Sequence, residues 1–127
     1  MTATHTVFTY GTLQLPSIQQ QLFGRTIEGH DDMLHGFALG KIPISDPVIS
    51  REVGCDHYLA IYPAETARPL HGKVLQLSES ELATADHYEG ILYQRIQVFL
   101  HSGEKAWVYR YKDDSPPGLR HDGKTAA

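Results

Sequence analysis

The sequence of 127 residues is poor in cysteine and in long apolar runs. Its single cysteine, Cys55, excludes an intramolecular disulfide and fits a reducing compartment. No segment approaches the roughly 18 apolar residues that a membrane-spanning helix needs. The first residues also lack the basic and apolar segments of a signal peptide. We therefore expect a cytoplasmic protein with no membrane partner.

Positive charge is scarce as well. Lysine and arginine number 11 against 15 acidic residues, which gives a formal net charge of −4. No basic stripe runs along the chain, so nucleic acid is a poor partner. The eight histidines form no metal-binding pattern such as His-Glu-x-x-His. His30, Asp31 and His35 are close in sequence, but their segment has the pattern of a turn and a strand, so we expect surface histidines and no metal.

The remaining composition is typical of a globular domain, with 41% hydrophobic and 20% charged residues. A chain of this length favours one domain, with a core large enough to enclose a cavity. We assign the domain to residues 1–112 and predict a flexible polar tail over residues 113–127, which are rich in proline and glycine. Nothing in the sequence indicates an oligomeric state.

Most of the apolar segments have the pattern of short β-strands. Residues 6–10 form a strand that is apolar on both sides, which favours a central position in a sheet. Residues 33–43 predict one strand that is bent at its glycines. Residues 57–63 and 71–77 predict a hairpin, and a second hairpin is predicted over residues 93–111, with a glycine-containing turn in its middle.

Two helices and one long loop complete the prediction. Pro16 or Ser17 begins the first helix and Gly24 ends it. The second helix begins at the capping-box pattern of residues 78–81, Ser-Glu-Ser-Glu, and runs to about Glu89. Residues 43–56 indicate a loop over a pocket. The predicted fold class is α+β: a small mixed β-barrel or curled sheet of about six or seven strands, two main helices and a central cavity.

The second helix carries an acidic residue where an apolar one is expected. Leu82 and Ala85 define its inward face, and Glu89, four residues after Ala85, continues that face. A buried carboxylate has a raised pKa, which suits a general acid or base. A glutamate at a helix end is also commonly solvated, so both interpretations stay open on periodicity alone. Asp86 either shares the site or faces solvent, and Arg95, on the following strand, is a candidate to hold Glu89 in a salt bridge and keep it ionised.

The strand end Tyr10-Gly11-Thr12 has two interpretations as well. A strand that stops at a glycine commonly ends in a plain turn. The same residues can instead form a loop that holds a ligand through backbone N–H groups and a threonine hydroxyl. In the second case, the partner of the loop lies far along the chain.

These stretches together resemble the gamma-glutamyl cyclotransferase-like superfamily. The resemblance covers residues 6–111. Its matching residues are Tyr10-Gly11-Thr12-Leu13, the Asp-x-x-Glu-Gly of residues 86–90, Tyr93-Gln94-Arg95 and the closing segment Ala106–Tyr111. It implies a small mixed α+β barrel with a cavity. The short chain and the Tyr-x-Arg resemble the γ-glutamylamine cyclotransferase branch and its bacterial relatives.

The resemblance also implies a cofactor-free reaction on a small γ-glutamyl substrate. The α-amino group of the substrate attacks its own γ-carbonyl, 5-oxoproline closes and an amine of undetermined identity leaves. The implied catalytic residue is Glu89. The implied substrate-binding residues are Tyr10, Gly11, Thr12, Leu13 and Tyr93. The alternative is a non-catalytic module that keeps the fold and binds a small metabolite in the pocket.

Overall fold

The computed structural model describes residues 4–43, 47–48, 51, 57–65 and 67–113. The elements that it describes from end to end are seven strands, two α-helices and one short 3₁₀ helix. The strands are β1 (Thr4–Thr9), β2 (His30–Leu34), β3 (Phe37–Pro43), β4 (His57–Pro63), β5 (Leu70–Ser78), β6 (Tyr93–Phe99) and β7 (Lys105–Tyr111). The helices are the 3₁₀ helix Thr12–Gln14, α1 (Pro16–Phe23) and α2 (Glu79–Glu89). Neither α-helix has the length and apolarity of a membrane span.

Five of these strands form the main sheet. Their order is β2-β5-β1-β7-β6, while β3 pairs with β4 in a separate two-stranded sheet. β1 runs antiparallel to β5 and parallel to β7, so the main sheet is mixed. The α+β class predicted from the sequence is confirmed.

The strand β1 is central because both of its faces are apolar. Val7 and Phe8 are fully buried, and successive strand residues point to opposite faces. Val7 packs into a cluster that includes Leu82 of α2, whereas Phe8 packs into a second cluster that includes Val108 of β7. The buried strand predicted over residues 6–10 is confirmed, with bounds at Thr4–Thr9.

The hairpin predicted from residues 57–63 and 71–77 is wrong. β4 pairs along its whole length with β3, and β5 pairs with β1 and β2 instead. The reason is burial: the neighbours Val74 and Leu75 point to opposite faces of β5, and both are about 1% exposed. A strand that is buried on both faces takes an interior position, so both edges of β5 are occupied and β4 must pair elsewhere.

The single bent strand predicted over residues 33–43 is also wrong. Gly36 lies between β2 and β3 with a φ of 88°, a left-handed conformation that glycine adopts without strain. The chain therefore turns at Gly36 instead of bending, and the two halves of the segment enter different sheets.

The main sheet curls so that its ends approach each other without closing. The turn between β6 and β7 reaches back to β2, the edge strand at the far end of the order. The Ser102 hydroxyl donates to the Asp32 carboxylate at 2.6 Å, and the His101 N–H donates to the Met33 carbonyl at 2.8 Å. These contacts join the β6–β7 turn to the opposite edge of the sheet.

Both helices begin and end as the sequence predicts. Pro16 is the first residue of α1, and Gly24 ends it in a left-handed conformation. At the start of α2, the Ser78 hydroxyl accepts from the Glu81 N–H, and the Glu81 carboxylate accepts from the Ser78 N–H. The capping box is thus formed in both directions and fixes the register of α2.

Two predicted segments lie largely outside the described residues. Of the loop predicted over residues 43–56, Pro43 belongs to β3, and residues 47, 48 and 51 are helical. The rest of that segment lies outside the description. The tail predicted over residues 113–127 is described only at Asp113, so the division into domain and tail stays a prediction.

Candidate active site

A cavity of about 220 Å³ opens at the end of α2, against the faces of β6 and β7. Its walls combine two carboxylates, one guanidinium, two phenols and a backbone turn. The lining residues are Asp86, Glu89, Gly90, Tyr93, Arg95 and Tyr109.

Glu89 points into this cavity because of its position on α2. Leu82 and Ala85 are buried in the core, and Glu89 continues the same face of the helix. Glu89 is half-buried, and the loss of water around it raises its pKa from the ordinary 4.5 to about 7. The inward direction predicted for this carboxylate from helical periodicity is therefore found in the structure.

The salt bridge predicted between Arg95 and Glu89 is wrong. Arg95 pairs with Asp86, through Nε to Oδ1 at 2.8 Å and through Nη2 to Oδ2 at 3.0 Å. The chain leaves α2 at Gly90, which has a φ of 80°, and Arg95 on β6 reaches the carboxylate of Asp86, three residues before Glu89. Asp86 shares the site, and Glu89 is left without this cation.

Aromatic side chains of β7 complete the arrangement around Asp86. The Tyr109 hydroxyl donates to Asp86 Oδ1 at 2.6 Å. The Arg95 guanidinium carbon lies 4.2 Å from the centre of the Trp107 ring, in a cation–π contact. The contributions of Tyr109 and Trp107 are not predicted from the sequence, because they depend on β7 lying beside α2. The only signal is alternation, which places both residues on one face of the last strand.

The loop after β1 approaches the end of α2, as the second interpretation of Tyr10-Gly11-Thr12 requires. The Thr12 hydroxyl and the Tyr88 hydroxyl form a hydrogen bond of 2.6 Å across 76 sequence positions. The Tyr10 hydroxyl donates to the Tyr109 carbonyl at 2.6 Å, and burial raises the pKa of that hydroxyl. Residues 10–13 lie beside the cavity and do not line it.

The loop residues Gly11 and Leu13 differ in which of their atoms a ligand can contact. The Leu13 side chain is 1% exposed and packs in the core with Val7 and Leu82, so only its backbone remains for a ligand. Gly11 has a negative φ of −126°, and a Cβ built there meets no atom within 4 Å. Crowding does not require a glycine here, and the space in front of Gly11 is open.

The predicted candidate Tyr93 lines the cavity, and its hydroxyl donates to the Leu59 carbonyl at 2.7 Å. Burial raises the pKa of this hydroxyl, so Tyr93 is neutral at physiological pH. Through this bond, β4 of the small sheet is tied to β6 at the wall of the cavity.

A second group of polar residues lies at the edge strand β2. Ligand atoms of His30, Asp32 and Glu104 lie within 4.8 Å of one another. The sequence does not reveal this group, because Glu104 is 74 positions from His30. Of the residues noted in the sequence, Asp31 pairs with Lys73, and His35 contacts His101. Asp32 already accepts hydrogen bonds from Ser102 and from the Met33 N–H, so it fastens the β6–β7 turn to β2.

Comparison with known proteins identifies the family. The family model for gamma-glutamyl cyclotransferase, AIG2-like proteins matches residues 7–125. The chain belongs to this family. The resemblance drawn from Tyr10–Leu13 and the Asp-x-x-Glu-Gly of residues 86–90 is confirmed at the level of the family. A search of curated proteins finds no match.

Several solved structures share the fold of this chain. Two solution structures of Arabidopsis thaliana proteins have TM-scores of 0.70 and 0.69, with 25% and 27% identity. They cover 93% and 90% of this chain, and the matches span 68% and 72% of those proteins. A structure titled gamma-glutamyl cyclotransferase matches with a TM-score of 0.67 and 15% identity, over 87% of this chain and 68% of that one. At that identity it shows the shared fold alone.

Proposed function

We propose that this protein is a cofactor-free cyclotransferase that acts on a γ-glutamyl amine or amide and releases 5-oxoproline and an amine. The observation that carries the proposal is Glu89, a half-buried carboxylate in a cavity of about 220 Å³ whose pKa burial raises to about 7. A group with that pKa accepts and returns protons at neutral pH, as a general acid/base must. The family match supports a reaction of this kind.

The proposed reaction moves one proton through Glu89 in each direction. Glu89 takes a proton from the α-ammonium group, and the freed amine attacks the γ-carbonyl carbon to form a tetrahedral centre. The bond from that carbon to the leaving nitrogen then breaks as Glu89 returns its proton to that nitrogen. The ring nitrogen loses its second proton to water, which leaves the neutral lactam of 5-oxoproline, and the released amine takes up a proton from water. Because ring closure occurs within one bound molecule, proximity can lower the activation barrier by about 7–11 kcal/mol. A positioned general acid/base raises the reaction rate by about a further 10²–10⁴-fold.

The loop of residues 10–13 and Tyr93 are the proposed substrate contacts. The Thr12–Tyr88 hydrogen bond and the Tyr10–Tyr109 hydrogen bond fix the loop beside Glu89. In the proposal, backbone N–H groups of the loop stabilise either the oxyanion of the tetrahedral centre or the substrate carboxylate. The open space in front of Gly11 supports a close approach of the substrate to this backbone.

Replacing Gly11 by alanine tests the loop contact. We expect Gly11→Ala to change stability by less than about 1 kcal/mol, because the added methyl meets no protein atom. The same methyl occupies the space assigned to substrate, so we expect KM to rise about tenfold or more. Thermal unfolding and steady-state kinetics measure the two effects.

Gly72→Ala is the matched control for the stability measurement on Gly11→Ala. A Cβ at Gly72 lies 2.5 Å from the Thr9 carbonyl oxygen, so this change is expected to destabilise the fold. If Gly11→Ala binds and converts substrate as the unaltered protein does, the loop is not a substrate contact.

The test of the proposed function is product release. The purified protein is incubated with γ-glutamyl compounds whose leaving groups are an amino acid, a dipeptide or the ε-amine of lysine. We expect 5-oxoproline and the free amine in equal amounts from at least one compound. Binding of such compounds without release of 5-oxoproline contradicts the proposal and favours the non-catalytic metabolite-binding module.

A further inference from the structure

Among the described residues that line the cavity are one cation and two carboxylates, and their pairing is selective. Asp86 and Glu89 are three residues apart on α2, and both line the cavity with Arg95. The guanidinium engages Asp86 through two parallel hydrogen bonds of 2.8 and 3.0 Å. This fork geometry is the strongest arrangement that the two groups form. The carboxylate with the proposed chemical role is the one that the cation leaves unpaired.

Two further contacts and partial burial keep the guanidinium on Asp86. Tyr109 donates its hydroxyl to Asp86 Oδ1 at 2.6 Å, which fixes the carboxylate. The Trp107 ring lies 4.2 Å from the guanidinium carbon and covers one of its faces. The Arg95 side chain is 25% exposed, so much of its length is enclosed by protein. These contacts restrict rotation of Arg95 toward the end of α2.

We propose that Asp86 is a positioning residue that holds the Arg95 guanidinium away from Glu89, so that Glu89 works without a cationic partner. The inference deepens the proposed function and rests on it only for the chemical role of Glu89. Whether Asp86 controls the proton affinity of Glu89 is measured without turnover.

The other groups around Glu89 are neutral at physiological pH. Burial raises the pKa values of the nearby phenols above the ordinary tyrosine value. These phenols are Tyr10 from the loop, Tyr88 from α2, Tyr93 from β6 and Tyr109 from β7. β4 contributes Tyr58, which faces Tyr88 and Tyr93. Among the described residues that line the cavity, the charged neighbours of Glu89 are therefore Asp86 and Arg95.

Loss of the Asp86 charge makes Glu89 the competing partner for Arg95. A carboxylate beside a guanidinium is stabilised in its ionised form, which makes it a weaker base. Glu89 then takes a proton from the substrate ammonium less readily, so the protonated form that serves the leaving amine is reached less often. Selective pairing thus preserves the proton exchange on which the proposed reaction depends.

The variant that tests this inference is Asp86→Asn in the full chain. The Asp86 side chain is 41% exposed, so the amide is not buried without a partner. A ¹³C NMR titration of the Glu89 carboxyl is expected to show a midpoint at least about one pH unit lower than in the unaltered protein. In the double variant Asp86→Asn/Arg95→Gln, the midpoint is expected to return toward the unaltered value, because the freed cation is gone.

Arg25→Gln is the matched control. It breaks a comparable two-bond ion pair, Arg25 with Glu81 at 2.7 and 2.8 Å, at the other end of the same helix. We expect no change in the Glu89 midpoint in this variant.

Three results overturn the inference. The first is an unchanged or raised Glu89 midpoint in Asp86→Asn. The second is a lowered midpoint that persists in the double variant, since the lost Asp86 charge is then the cause. The third is measured on the unaltered protein and does not depend on the folding of a variant. A Glu89 midpoint below about 5 there shows that Arg95 is not held away from Glu89.

Failure of the inference is distinguishable from failure of the proposed function. If the midpoint moves as expected but no γ-glutamyl compound yields 5-oxoproline, the positioning role of Asp86 stands and the function is wrong. If 5-oxoproline is released and the midpoint does not move, the function stands and the role of Asp86 is wrong.

Discussion

Replacing Glu89 by glutamine is expected to reduce 5-oxoproline release by about 10²–10⁴-fold, because the amide cannot carry the transferred proton. The same change is expected to raise the free energy of unfolding at pH 8 by about 1–3 kcal/mol. The pKa of Glu89 is about 7 in the fold, above the ordinary 4.5. Its stabilising contribution is therefore complete below pH 4.5 and is lost as the pH rises through 7.

The opposite signs of the two effects separate a catalytic from a structural role. At pH 4 the carboxyl is largely protonated in both the folded and the unfolded chain, so the gain in stability should vanish there. Chemical denaturation at pH 4 and pH 8 measures this difference. Glu79→Gln, at a side chain of the same helix that is 82% exposed, is the control and should show neither effect. A Glu89→Gln variant that keeps most of its rate shows that another group performs the proton transfer.

The pH dependence of the rate is the second large effect. The base must be ionised to take a proton from the substrate ammonium, so kcat/KM is expected to fall about tenfold per pH unit below about 7. At pH 5 the loss approaches about 100-fold. Circular dichroism at the same pH values shows whether the fold persists. We expect the folded signal to remain while kcat/KM falls. An acid limb with a midpoint near 4.5 means that burial does not shift the acting carboxyl, or that Glu89 is not that carboxyl.

The elements that the sequence predicts correctly are those with local signals. The capping box at Ser78 and Glu81 needs only four consecutive residues, and both of its hydrogen bonds are present. The hairpin of residues 93–111 depends on alternation and on a turn glycine, and Gly103 has a φ of 93° there. The inward direction of Glu89 follows from helical periodicity, which is equally local.

The choice of strand partners is not local and was predicted incorrectly. A short turn joins β4 to β5 in the sequence, which favours a hairpin between these two strands. Its actual partner, β3, is determined by competition: β5 is buried on both faces and already pairs with β1 and β2. No pattern within residues 57–77 records how strongly a distant strand competes for the same edge.

The features of the candidate site likewise divide into those that the sequence predicts and those that it does not. The approach of the loop at Thr12 to the end of α2 was anticipated from two motifs, and the Thr12–Tyr88 hydrogen bond joins them. The partner of Arg95 was not anticipated, because it depends on how the turn at Gly90 places β6 relative to α2. The choice between Asp86 and Glu89 is made by a shift of one helical turn, which motif spacing does not resolve.

Binding of 5-oxoproline to the unaltered protein, followed by ¹H–¹⁵N NMR, is the most direct test of the claim that the Glu89 cavity is the active site. We expect chemical-shift changes centred on the amides of Gly11, Thr12, Leu13 and Gly90, with a smaller response at Tyr93. The depression of about 310 Å³ lined by Gln14, Asp31, His71, Gly72 and Lys73 serves as an internal reference, because it lies outside the proposed site. Changes confined to that depression, or spread over the surface without those loop amides, would contradict the claim.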